Sequence, residues 1–158
     1  METIENEMMN IFSKMTHVFG IGESATKILA LLYLEPKEVA MEEIAEKTGY
    51  SLASVSNKMK IFETAGFVER VKKPGTRKVF FYMEKNLAKL NIRKLEKMKS
   101  YYLKPTLNYL PGMIKKYKEK AKTNIAKEKL EIMETYYNQL KDMEKLFDKW
   151  GKDLENLK

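Results

Sequence analysis

The sequence predicts a mainly α-helical chain that carries one small β-hairpin. Three observations lead there. Apolar residues recur at steps of 3 and 4 along much of the 158 residues, the spacing of a buried helix face. Strand-like composition, rich in β-branched and aromatic residues, is confined to 67–72 and 78–83. Gly and Pro fall at a few isolated points, where they end helices and make one turn. Charged residues make up 33% and hydrophobic ones 44%, too apolar for a disordered chain and too charged for a membrane-embedded one. With no Cys, disulfides, thiolate zinc sites and iron–sulfur clusters are excluded.

Each element follows in order. Over 3–19, Ile4, Met8, Ile11, Met15 and Val18 step by 4, 3, 4 and 3, so one apolar stripe of a helix is expected, ended by Gly20 and Gly22. A second helix is expected over 23–34, capped by Glu23 or Ser24, filled by Ile28, Leu29, Leu31 and Leu32, and closed by Pro36. A short helix is expected over 41–48, with Gly49 as the left-handed residue just past its end. Ser51 then caps a helix that runs to Ala65 and stops at Gly66. Between the two strand-like segments Pro74-Gly75 suits a type II turn, with Gly supplying the positive φ.

Beyond Glu84 the pattern returns to helix over 86–103 and 123–157, with Pro105, Pro111 and Gly112 expected to break the stretch between. In the last helix Ala126, Leu130, Met133, Tyr137 and Leu140 form one seam. Met143, Phe147, Trp150, Leu154 and Leu157 resume it after a 3-residue slip. Near-heptad spacing of this kind is a seam for another helix.

Charge is unevenly placed. Residues 1–50 hold 4 basic and 9 acidic side chains, whereas 51–100 hold 13 and 4. Arg70, Lys72, Lys73, Arg77 and Lys78 lie together around the expected turn with no acid among them. Such a cluster reads either as the solvated loop of a lysine-rich protein or as an anion-binding surface, most often for nucleic acid.

The middle of the chain brings these pieces together. Met41–Thr48 is followed by a turn at Gly49 and a second helix from Ser51, with Ala45 small where the helices cross. Ile44, Val55, Met59 and Phe62 fill the angle. Ala65-Gly66-Phe67-Val68 leads straight from the second helix into the hairpin with its basic tip. Helix, tight turn, helix and basic hairpin make a winged helix-turn-helix.

These stretches resemble the winged-helix domain of the MarR-type transcriptional regulators. They are most similar to the branch that includes the glycine-betaine-synthesis repressor, GbsR. The resemblance is carried by Ala40–Gly49, Ser51–Asn57, Phe62–Val68, and Gly75-Thr-Arg-Lys78 leading into Phe80-Phe-Tyr82. It implies a homodimeric DNA-binding regulator whose terminal helices make the dimer. The expected layout is therefore an N-terminal dimerisation helix over 1–22, a winged helix-turn-helix DNA-binding domain over 23–85, and a helical dimerisation region over 86–158.

On a wheel of about 100° per residue, Leu52, Val55, Met59 and Phe62 form the core arc of helix 51–65. The opposite arc holds Ala53, Asn57, Lys60 and Thr64, flanked by Ser54, Ser56 and Ile61, and is what a major groove would meet. Asn57 has the donor and acceptor for a bidentate contact to adenine, and Ser51, Ser54 and Ser56 suit bases or phosphates. Lys58 and Lys60 suit phosphates. The wing offers Lys72, Lys73, Arg77 and Lys78, with Arg77 the first choice for a minor groove because a guanidinium sheds water readily.

Other signals are set aside. Gly20-Ile-Gly22-Glu-Ser-Ala25 spells a dinucleotide fingerprint but follows a helix rather than a strand. The single His, His17, has no acid–nucleophile pair near it, and the lysine run from Lys115 to Lys122 reads as a solvated helix face. No catalytic residue set, cofactor motif or metal-ligand spacing is present, so a non-enzymatic chain without cofactor is expected. No apolar run reaches the ~20 residues of a membrane span, and the start is acidic, so a cytoplasmic location is expected. The rival to a DNA-binding regulator is a winged-helix protein-interaction adaptor in a larger assembly. An adaptor surface would be more apolar than this polar arc and basic tip.

Overall fold

A computed structural model describes residues 3–18 and 21–157; of Met15, His17 and Val18 it describes the backbone alone. The expected helix end at Gly20, the stripe positions Met15 and Val18, and the surroundings of His17 therefore lie outside the described residues. The chain forms two compact units, Met1–Leu90 and Asn91–Lys158.

In the first unit, α1 (Ile4–Val18) packs on α2 (Glu23–Leu34). The single stripe expected on α1 is not its buried face: Ile4 and Ile11 are exposed, while Met8 and Met9 are half-buried and Phe12 is buried against α2. The inward edge includes a polar residue that a hydrophobic count passes over. Thr16 is buried, donates to the Phe12 carbonyl at 2.8 Å, and shares a 2.6 Å hydroxyl–hydroxyl bond with buried Thr26 of α2. A buried hydroxyl without such partners costs ~1–3 kcal/mol, so the pair fixes how the two helices register. Gly22, rather than Glu23 or Ser24, is the N-cap of α2 and makes no side-chain cap bond.

The helix-turn-helix comprises α3 (Met41–Thr48) and α4 (Leu52–Ala65), with the boundaries its caps dictate. Gly49 takes φ 75°, where an L side chain is strained, and its N–H closes α3 on the Ala45 carbonyl at 2.9 Å. Ser51 Oγ accepts from the Ser54 N–H at 3.2 Å, a side-chain cap on α4. Ile44, Val55, Met59, Phe62, Ile28, Leu29, Leu32 and Phe81 share one core. Each such side chain stabilises the fold by roughly 1.5–3 kcal/mol relative to exposure. Leu52 departs from the expected core arc and is 45% exposed, because a first-turn side chain leans back beyond the helix start.

The hairpin is shorter than its composition suggests and has a third strand. β1 (Val39–Ala40), β2 (Glu69–Val71) and β3 (Phe80–Tyr82) form an antiparallel sheet in the order β1-β3-β2. Arg70 and Val39 both face Phe81 across the ladders. A two-residue strand has no readable alternation, which is why β1 escapes the sequence pattern. The segment between β2 and β3 is the wing, turned at Gly75 with φ 77°.

After the sheet, α5 (Leu87–Met98) runs through a π-helical turn (Lys99–Leu103) into α6 (Lys104–Lys118) without a break. The expected interruption at Pro105, Pro111 and Gly112 is thus overturned. Pro105 lacks an N–H, and its ring would meet the Tyr101 carbonyl four residues back. The wider π turn, with its i→i+5 spacing, comes immediately before Pro105 and changes the helical register at the point where the ring enters. Pro111 is accommodated inside α6.

The second unit pairs α6 with α7 (Asn124–Glu155), which Thr123 caps by accepting from the Ala126 N–H at 3.2 Å. The expected single seam with a slip is two seams. Leu130, Met133, Tyr137, Leu140, Glu144, Phe147, Gly151 and Leu154 step by 3 and 4 and are all half-buried or buried. A core of Leu103, Leu110 and Leu140 takes in Met133, Tyr137 and Phe147 of this seam. Ile132, Tyr136, Gln139, Met143, Leu146, Trp150, Asp153 and Leu157 also alternate 4 and 3, and every one is exposed. Met143, Trp150 and Leu157 therefore belong to a different edge from the one their spacing suggests. Lys99 pairs with Asp148, and the Tyr102 and Tyr136 hydroxyls are hydrogen-bonded, tying the π turn to α7.

Candidate nucleic-acid interface

α4 is amphipathic across its width. Val55 and Met59 are fully buried and Phe62 nearly so, which leaves Ala53, Asn57, Lys60, Ile61 and Thr64 on the far side. Anchoring one edge in the core fixes the rotation of the other. The Thr64 hydroxyl turns back to the Lys60 carbonyl at 2.9 Å, so Asn57 and Lys60 are the polar groups of that edge directed outward.

Ser54, Ser56 and Lys58 are half-buried on the flanks. Lys58 Nζ donates to Ser54 Oγ at 3.1 Å and lies 6.0 Å from the Tyr50 ring centre. Ser51 is exposed; its oxygen caps the helix while its hydroxyl proton stays available.

Tyr50 is a neighbour the sequence pattern did not single out. Lys27 of α2 stands 5.7 Å from the same ring and donates to the Thr48 carbonyl at 2.9 Å, at the negative end of α3. Two cations, an aromatic ring and the Ser54 hydroxyl thus meet at the entry to α4. Tyr50 carried a signal, an aromatic one residue before a Ser cap. Lys27 carried none, because only the packing of α2 on α3 brings it there.

The basic cluster divides. Arg70 is ion-paired to Glu63 of α4 at 3.1 Å and stacks over Phe81 at 5.5 Å, so it pins the base of the wing and neutralises the acid of α4. Lys73 pairs with Glu38 at 2.6 Å and covers Phe80 at 4.3 Å. The Lys73 ammonium beside Glu38 holds that carboxyl below its usual range. Lys72, Arg77 and Lys78 are exposed and, among the described residues, make no ion pair. The Lys78 N–H donates to Thr76 Oγ1 at 3.1 Å, which orders the turn that presents them.

Glu42, Glu43 and Glu46 are exposed on α3 and share a shallow depression with Lys78. The wing cation Lys78 thus stands beside the α3 carboxylates, whereas Lys60 is exposed on the outward edge of α4. At the base of the sheet Lys85 Nζ donates to the carbonyls of Leu32 at 2.5 Å and Met83 at 2.7 Å, and burial lowers its pKa. That contact joins the end of the wing to the C-terminal turn of α2.

Among the described residues no helix is long and apolar enough to cross a membrane. No family model matches the chain. It is 25% identical over 85 residues to two proteins of Bacillus subtilis, a putative HTH-type transcriptional regulator, YvaV, and the HTH-type transcriptional repressor OpcR. The match takes in 54% of this chain and 48% and 46% of theirs, so the chain spans about half the length of the curated relatives it matches. A crystal structure of a transcriptional regulator superposes with a TM-score of 0.69, covering 98% of this chain and 100% of that one, at 17% identity. The chain thus has a winged-helix fold, and its sequence relatives are HTH-type transcriptional regulators.

Proposed function

We propose that this chain is a sequence-specific DNA-binding transcriptional regulator of the MarR type, nearest the GbsR branch, that acts as a homodimer and represses by occupying its operator. The observation that carries this reading is the outward edge of α4. It presents Asn57 and Lys60 opposite a fully buried edge, in the same unit as a wing with three cations outside any described ion pair. Laid in a major groove, α4 sets the Asn57 amide against an adenine edge, with Lys60 on a phosphate. Lys72, Arg77 and Lys78 follow the backbone or the adjacent minor groove.

Homodimerisation is assigned to 1–22 and 86–158. Its support is that each unit leaves an apolar edge uncovered: Ile4 and Ile11 on α1, and the Ile132–Leu157 stripe on α7. Heptad spacing on the latter suits a second copy of the same helix. The repressor sense rests on the likeness to OpcR.

The test is selection of bound duplexes from a random pool, followed by titration of a selected and a scrambled duplex at two salt concentrations. A two-fold symmetric motif and a salt-resistant preference for it are expected. Equal affinity for both duplexes overturns sequence-specific binding. The exposed Leu52 and Ile61 on α4 would then be contacts of a protein-binding adaptor.

A further inference from the structure

We propose that Ile61 reads the 5-methyl group of a thymine in the major groove, beside the adenine assigned to Asn57. This inference rests on the reading that α4 enters that groove. Ile61 is a large apolar side chain on an edge that is otherwise small or polar. It is 65% exposed, while Val55, Met59 and Phe62 fill the core on the far side. Ala53, Asn57 and Ile61 follow one another at intervals of four, so they form one row on the helix surface. Four residues of helix rise about 6 Å, close to two base steps of a duplex at roughly 3.4 Å each. Helical side chains lean toward the N-terminus, which tilts Ile61 toward the turn that carries Asn57. The amide and the isoleucine therefore address base pairs no more than two apart.

The occupant follows from chemistry. The C5-methyl of thymine is the apolar group that base edges present in the major groove. A lone isoleucine matches a lone methyl, whereas a protein partner would be met by a continuous apolar patch. One turn away on the surface, the neighbours of Ile61 are Asn57, Lys58 and Thr64, with exposed Ala65. Glu63 is the single acid of α4, and Arg70 pairs with it at 3.1 Å, so no free carboxylate on the helix opposes a polyanion. Isoleucine is also suited by its stiffness. A β-branched side chain in a helix has one strongly preferred χ1, so little rotamer freedom is lost when it seats against a base. Ala53, at the other end of the row, has none to lose and lets the first turn come close to the bases.

The experiment uses the full chain and the duplex obtained by selection from a random pool. Each thymine is replaced in turn by deoxyuridine, which removes the methyl and keeps every hydrogen-bonding group of the base. One thymine per half-site, within two base pairs of the position whose preference Asn57→Ala alters, should lose about fourfold in affinity, the worth of one methyl taken from water. Ile61→Ala should weaken binding to the thymine duplex and abolish the deoxyuridine effect. Its sedimentation and thermal melting should match wild type, since the side chain is exposed. Wild-type affinity unmoved by deoxyuridine at every thymine overturns the proposal and leaves DNA recognition by α4 standing. A deoxyuridine effect that persists in full in Ile61→Ala overturns it too, because another residue then reads the methyl. Equal weakening of Ile61→Ala on both duplexes, or an altered sedimentation, makes Ile61 a protein contact and also overturns it. If no duplex is preferred over a scrambled one, the DNA reading itself is overturned, and the inference with it.

Discussion

At the scale of single residues, the contrast between Asn57 and Lys58 is the sharpest consequence of how α4 sits. Asn57 is exposed on the outward edge, while Lys58 is half-buried and already bonded to Ser54. Asn57→Ala should alter the preferred base at one position of each half-site, at a cost of ~1–3 kcal/mol there and little on random DNA. Lys58→Ala should lower affinity uniformly. Duplex selection on both variants checks this, and a motif changed by Lys58→Ala alone refutes the rotation. Lys73 poses a second residue-scale question, because Glu38 holds it. Glu38→Gln should free the ammonium, raise affinity for every duplex, and steepen the slope of log affinity against log salt by about one. An unchanged slope would leave Lys73 a structural cation. Gly49 was legible from sequence because a turn between two short helices demands positive φ; Lys27 was not, since its place depends on which helix packs beside it.

At the scale of elements, the wing and α7 behave differently from a composition reading. Of the basic residues around the turn, Arg70 and Lys73 are tied to acids that lie outside the cluster. Arg77→Ala with Lys78→Ala should therefore remove most of the wing's free charge and flatten the salt slope by about one unit for each phosphate no longer neutralised. Filter-binding titrations at several salt concentrations read this directly, and an unaltered slope removes the wing from the interface. On α7 the two seams let stability and the proposed association be tested separately. Leu140→Ala, in the buried seam, should cost ~2–5 kcal/mol in denaturant unfolding. Leu146→Ser with Trp150→Ser, on the exposed stripe, should leave the protomer's helix content intact and shift sedimentation toward a monomer at micromolar concentration. Monomeric wild-type protein at that concentration would end the dimer reading.

Across the whole molecule, charge is unevenly distributed and sets the acid response. Residues 1–50 are net acidic and 51–100 strongly basic, an asymmetry that favours contact of the basic part with a polyanion over the acidic part. Two carboxylates are lowered by lysine partners: Glu38 by Lys73 and Asp148 by Lys99. The folded state binds fewer protons than the unfolded chain at these sites. Their contribution is fully present above the ordinary values of 4.5 and 3.8, and is lost as pH falls through the lower folded ones. Thermal melting should accordingly show no loss of these bridges between pH 8 and 5. The Glu38→Gln variant should lose less stability than wild type on acidification below that window. A wild-type decline above pH 5 that Glu38→Gln abolishes would contradict the assignment.

Local rules determined much of this protein. The caps at Ser51, Gly49 and Gly66, the turn at Gly75 and the 3-and-4 spacing of α4 placed the helix-turn-helix and its outward arc from sequence, because each is decided by neighbours within one turn. Three things waited for tertiary structure. Which of two apolar edges on α1 and α7 faces inward depends on the partner helix, since both edges satisfy the same periodicity. Whether Pro105 ends a helix depends on a π turn that long-range packing on α7 holds in place. Which wing cations are free to meet a ligand depends on Glu38 and Glu63, acids that folding brings to Lys73 and Arg70 from other elements and that no local pattern links to them.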